Sequence, residues 1–160
     1  MPRKRTMLLS AVCALLPLVS APSALAEGNT LAATQESVDV ASTPIQSFRN
    51  QATSRCMDDT DDGFRPWECN GSNPQQWSVR VWDDGTRELR NINTGRCITD
   101  TGHGFHTAFC NSTPEQSWWV KVWGDGTLEF RNQHTGRCID DSSYGLRTWP
   151  CNSSQYQSWF

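Results

Sequence analysis

The chain has no C-x-x-C pair, no Gly-x-Ser-x-Gly elbow and no His-Glu-x-x-His motif. These absences argue against a thiol-redox or thiolate-metal site, a serine hydrolase of the elbow type and a zinc protease. Beyond the N-terminal region no segment approaches the ~20 apolar residues needed to span a bilayer. No window repeats its apolar residues with a helical period, so helical architectures lose their main signal. A basic excess is missing too.

What is present begins with "MPRKR", the apolar run "MLLSAVCALLPLVS" and the small-residue ending "ALA" at 24–26. This is the order of a secretory signal peptide, with cleavage expected after Ala26. Residues 27–37 form a short tail. From Glu27 onward, tail included, the chain carries 11 basic against 17 acidic residues, a net charge of −6. That balance excludes nucleic acid and anionic membrane as natural partners.

Cys13 falls inside the signal, leaving six cysteines at 56/69, 97/110 and 138/151. An even set in an exported chain reads as disulfides. Six cysteines allow 15 pairings in principle, but three equal spacings make local pairing the simplest. Each bridge would contribute about 3 kcal/mol in the loop-entropy picture.

The cysteines also reveal a repeat. Cys56, Cys97 and Cys138 are 41 residues apart, as are Trp77, Trp118 and Trp159, and the segments "FRN", "LRN" and "FRN" from 48, 89 and 130. Counting back from Phe160 gives units 38–78, 79–119 and 120–160. Within them "VRVWDDGTRELRN" and "VKVWGDGTLEFRN" alternate apolar and polar residues around Asp-Gly turns, a β-hairpin pattern. Three copies are too few to close a propeller; threefold closure of about four short strands each is the fitting architecture.

The triplicated Gln-x-Trp ("QQW" at 75–77, "QSW" at 116–118 and at 157–159), with Cys-x-Asp and Trp-x-Cys, resembles the ricin B-chain type β-trefoil lectins. The resemblance covers 38–160. It implies an all-β trefoil of twelve strands, one disulfide per repeat, and one shallow sugar pocket available to each repeat. It also implies that Trp77, Trp118 and Trp159 belong to the shared core.

Comparing the copies with one another separates scaffold from site. Arg55, Arg96 and Arg137, or Asn70, Asn111 and Asn152, are identical in all three and need no function beyond symmetry. Two residues after the first cysteine, however, stand Asp58, Thr99 and Asp140; two before the second stand Trp67, Ala108 and Trp149. In the family the matching Asp accepts hydrogen bonds from sugar hydroxyls and the matching ring stacks on the sugar. A pyranose offers hydroxyls on its rim and C–H groups on its faces, so orientation needs the carboxylate and desolvation needs the ring. The expected carbohydrate-binding set is therefore Asp58, Trp67, Asn70 and Gln75 in repeat one, and Asp140, Trp149, Asn152 and Gln157 in repeat three. Repeat two is degenerate. Phe64, Tyr144 and Tyr156 are candidates for added aromatic contact. Pro74, Glu115 and Tyr156 stand where many relatives carry an Asn.

Other constellations are weaker. Asp58–Gly63, "DDTDDG", matches the opening of a calcium loop but lacks the closing Glu. His103 and His106 read as exposed loop histidines without a third ligand. No cofactor, metal or catalytic group is called for. The expectation is a secreted, extracellular, non-enzymatic protein whose partner is a polysaccharide or glycan. The second reading is a structural adaptor or inhibitor subunit, whose partner is another protein of a secreted assembly.

Overall fold

A computed structural model describes residues 43–160; the signal segment, the tail and the opening of the first unit lie outside the described residues. Eleven strands follow in order: β1 Ile45–Gln46, β2 Arg55–Thr60, β3 Gly63–Glu68, β4 Trp77–Val81, β5 Arg87–Asn91, β6 Cys97–Asp100, β7 Phe105–Ala108, β8 Trp118–Val122, β9 Leu128–Asn132, β10 Cys138–Ser142 and β11 Gly145–Trp149. All pairings are antiparallel. One-turn 3-10 helices at Asn73–Gln75, Pro114–Gln116 and Gln155–Gln157 precede each Trp of Gln-x-Trp. The molecule is all-β with a trefoil repeat, as the resemblance implies.

The hairpins form where alternation meets turn chemistry. In β4–β5 and β8–β9 the Oδ1 of Asp84 and Asp125 accepts from the backbone N–H and hydroxyl of Thr86 and Thr127. Those bonds hold both carboxyls below the ordinary aspartate range. Gly85 and Gly126, at φ +89 and +86, supply the left-handed residue each turn requires.

Each tryptophan of Gln-x-Trp pairs with two other backbone segments. Trp77 pairs with Gln46 and Asn91, Trp118 with Arg87 and Asn132, and Trp159 with Leu128 and Asn50. The last of these closes the ring from the third repeat back to the first. All three indoles are fully buried, and their Nε1 atoms donate to the carbonyls of Met57, Ile98 and Ile139 at 3.1–3.2 Å. Around them pack Phe48, Leu89 and Phe130 with Met57, Ile98 and Ile139, again one from each repeat. Burying an indole contributes roughly 4–6 kcal/mol of transfer free energy, so this centre is the main driving force for closure.

A second ring holds the repeats to one another. Arg55 grips Asp141, Arg96 grips Asp59 and Arg137 grips Asp100, each through Nε and Nη2 on the two carboxylate oxygens. Thr53, Thr94 and Thr135 add hydroxyl donors to the same carboxylates. All three aspartates are buried. The invariance of Arg55, Arg96 and Arg137 thus has a structural cause: each is a bolt between neighbouring repeats.

The three disulfides join Cys56–Cys69, Cys97–Cys110 and Cys138–Cys151. Each ties the start of a strand to the loop after its hairpin partner, across β2–β3, β6–β7 and β10–β11. These hairpins carry Asp58, Trp67, Asp140 and Trp149.

Candidate functional site

The register of the disulfide-tied hairpins sets the site. Asp58 lies opposite Arg65, and Asp140 opposite Arg147; in the middle repeat Thr99 faces His106. Arg65 donates from Nε to Asp58 Oδ1 at 3.3 Å, and Arg147 to Asp140 Oδ1 at 3.1 Å. The other aspartate oxygen accepts from the amide of Gln75 at 3.2 Å or of Gln157 at 3.4 Å. Side chains two apart on a strand share a face, so Trp67 and Trp149 lie beside those arginines. The guanidinium carbon stands 4.3 Å from the indole centroid in both repeats. Both indoles are 48% exposed.

The eight expected binding residues fall into three groups. Trp67 and Trp149 present open ring surface. Asp58 and Asp140 lie at the floor, buried and held by the charged and amide donors just named. Gln75 and Gln157 are fully buried, and so is Gln116 in the middle repeat. Each Gln accepts the backbone N–H of the asparagine five residues before it, at 2.8 Å, and donates to a carbonyl at Glu68, Phe109 or Pro150. These glutamines shape the loop and aim the aspartate from below. Asn70 and Asn152 are exposed, with Oδ1 closing a local turn onto the N–H of Ser72 or Ser154; Asn111 does the same in the middle copy.

Of the added aromatics, Tyr144 is 81% and Tyr156 46% exposed. Phe64 differs from its expectation. It points inward, its ring 5.6 Å from Trp77 and 5.2 Å from Phe105, because alternation along β3 sends residue 64 to the core when 65 and 67 face out. In Asp58–Gly63, Asp58 and Asp59 reach opposite partners, Arg65 and Arg96, so those two carboxylates do not gather around one ion.

Arg65 and Arg147 are the residues that comparison of the copies missed. The signal was available: Arg65, His106 and Arg147 are 41 residues apart, and the middle copy departs there as it does at Thr99 and Ala108. In repeat two, where all three side chains are smaller, an open pocket of about 320 Å³ is lined by Thr99, His106, Ala108, Asn111, Glu115 and Gln116 among others. Gln116 keeps its posture there, donating to Thr99 Oγ1 at 2.9 Å.

The model of the ricin-type β-trefoil lectin domain matches residues 44–159. The chain belongs to the ricin-type β-trefoil lectin family. Membership supports carbohydrate binding as the general function. No curated protein matches this lectin-family chain by sequence. Among solved structures, the ricin-type fold of this chain is similar to the designed threefold-symmetric protein ThreeFoil, with a TM-score of 0.67 and 14% identity over 72% of this chain and 95% of that one. It is also similar to an exo-β-1,3-galactanase from Clostridium thermocellum, at TM-score 0.66, 20% identity and coverage of 73% and 29%. The hemolytic lectin CEL-III matches at TM-score 0.61, 21% identity and coverage of 72% and 29%. At these identities the likeness is one of fold. The matched part is under a third of the galactanase and CEL-III chains.

Proposed function

We propose that the protein is a secreted carbohydrate-binding lectin with working sugar sites in repeats one and three and a degenerate one in repeat two. The observation that carries this reading is the joint recurrence of an Asp–Arg pair under a half-exposed Trp in two repeats, and its joint loss in the third. A role in folding would be demanded of all three copies alike. The three tryptophans of the core, the three glutamines and the three Arg–Asp bolts are such roles, and none of them varies.

In each site the indole supplies an apolar platform and the carboxylate an acceptor for vicinal hydroxyls. Gln75 and Gln157 act through the aspartate they hold. A shallow site open to water binds one sugar at about the millimolar level, near −4 kcal/mol. Two such sites on one rigid body gain on a polymer through effective concentration. Binding, not catalysis, is the activity. The acidic, disulfide-bonded chain with its N-terminal signal pattern fits export and an extracellular glycan.

The test is retention on insoluble or immobilised polysaccharides by the wild type and by Asp58→Ala with Asp140→Ala. The double variant should fold and lose retention. Retention unchanged in a folded double variant overturns the reading in favour of the adaptor, which would be silent toward glycans and co-purify with a protein.

A further inference from the structure

Repeats one and three share the Asp–Arg–Trp arrangement but differ sharply around it. From Ser142 to Phe160 a single side chain is charged, that of Arg147. The corresponding segment of repeat one, Thr60 to Ser78, carries Asp61, Asp62 and Glu68 against Arg65. All three of those acids are exposed and sit on the rim of the first site, in the turn of its hairpin and beside Trp67. Their counterparts in repeat three are Ser143, Tyr144 and Pro150.

Arg147 is also held differently from the bolting arginines. Those use Nε and Nη2 together on a buried aspartate. Arg147 gives only Nε to Asp140, and among the described residues neither Nη1 nor Nη2 makes a hydrogen bond. Its plane is fixed by two rings, Trp149 at 4.3 Å and Tyr144 at 4.8 Å. The guanidinium is therefore pre-oriented, partly exposed, and left with an outer pair of N–H donors. Such a fork matches a planar or tetrahedral oxyanion in a bidentate manner, and fixing it in advance lowers the entropy lost on binding.

We infer that Arg147 is the specificity-determining residue of the third repeat's site, its outer edge taking the carboxylate or sulfate of an acidic sugar stacked beside Trp149, and that the first site refuses such a ligand. The inference rests on the carbohydrate-binding reading above. Asp140 does not oppose the anion, because its charge is already met by Nε. In repeat one the equivalent fork of Arg65 has the same Nε partner, but Asp61, Asp62 and Glu68 turn the local potential negative. Neutral or cationic sugars suit that site.

The experiment compares retention of the whole protein on a polyuronate, on the same polyuronate after methyl esterification, and on a sulfated polysaccharide, at low and at physiological salt. Three variants go alongside it: Arg147→Lys, Arg65→Lys, and Ser143→Asp with Pro150→Glu. The last places repeat one's acids at exposed positions of repeat three and leaves Arg147, Asp140 and Trp149 in place. Arg147→Lys keeps the charge and loses the fork. The expected result is tighter binding to an acidic polymer than to the ester, weakened by salt, and lowered about tenfold or more by Arg147→Lys, as for loss of a charged bidentate contact. The Ser143→Asp, Pro150→Glu variant should lose the acidic preference and keep binding to the neutral ester, while Arg65→Lys leaves the preference intact. Preference for the polyuronate identifies the carboxylate as the group recognised, and preference for the sulfated polymer identifies the sulfate. Equal binding of ester and acid, or an acidic preference untouched by the Arg147 and rim variants, overturns the inference and leaves the lectin reading standing. Absence of retention on all polymers overturns both.

Discussion

The side-chain amide of Gln75 donates to Asp58 at 3.2 Å, and Gln157 and Gln116 repeat the contact toward Asp140 and Thr99. The same glutamine supports a carboxylate in two repeats and a hydroxyl in the third. Its role therefore divides between folding and placement of the acid. Replacing Gln116 by Ala strands the N–H of Asn111 and the carbonyl of Phe109, and should lower stability by about 2–4 kcal/mol with no effect on glycan retention. Gln75→Ala should carry a similar stability loss and weaken retention as well. Denaturant unfolding beside polysaccharide pull-down separates the two outcomes.

Tryptophans of this chain should divide into two energetic classes. Trp118→Ala empties a fully buried position and is expected to cost about 3–5 kcal/mol. Trp67→Ala and Trp149→Ala remove half-exposed rings and should cost about 1 kcal/mol or less, yet abolish retention when combined. Thermal melts of the purified variants measure the first contrast and affinity electrophoresis the second.

Acid should unlock the bolt between repeats two and three. Burial raises the Asp100 carboxyl, but hydrogen bonds from Arg137, Thr135 and Gly102 outweigh it and leave the pKa below the ordinary value. A folded-state pKa lower than the unfolded one contributes stability that is complete above about pH 4 and is lost as pH falls through the folded value. Asp100→Asn should flatten that acid limb and reduce stability at neutral pH by about 3–5 kcal/mol, because Arg137 then faces no charge. Urea midpoints between pH 2 and 7 give the comparison.

At the turn before the first cysteine, Ser54 adopts φ +61 where Gly95 and Gly136 stand at +71 and +69. A side chain there is strained, and Ser54 makes no side-chain hydrogen bond to a described residue that would offset it. Ser54→Gly should stabilise the protein by about 0.5–1 kcal/mol, the left-handed penalty less the added freedom of the unfolded chain. A lower midpoint for the glycine variant would contradict this account.

Symmetry made the fold readable. A 41-residue period in Cys and Trp is met by three equivalent environments, so disulfides and strand-rich hairpins followed from counting, while the core place of Trp77, Trp118 and Trp159 came from the resemblance to the ricin-type lectins. The same counting isolated Asp58, Trp67, Asp140 and Trp149 through their loss in repeat two. It did not isolate Arg65 and Arg147, because a strand arginine reads as an ordinary solvated residue until the cross-strand register sets it against an aspartate. Nor did it give the neighbouring Asp59 a role. Adjacent residues on a strand face opposite ways, and here one carboxylate meets Arg65 of its own hairpin while the other receives Arg96 from the next repeat. Phe64 went astray for the same reason, since only the phase of β3 decides which of its residues look outward.

The Arg–Asp bolts run in one rotational sense, each repeat lending its arginine to the one before, with the first returning to the last. A forty-one-residue segment cut from this chain would therefore hold a guanidinium and a carboxylate that cannot meet each other. Its missing partners are copies of itself, so such a peptide has two fates: unfolded alone, or assembled in threes around a common axis.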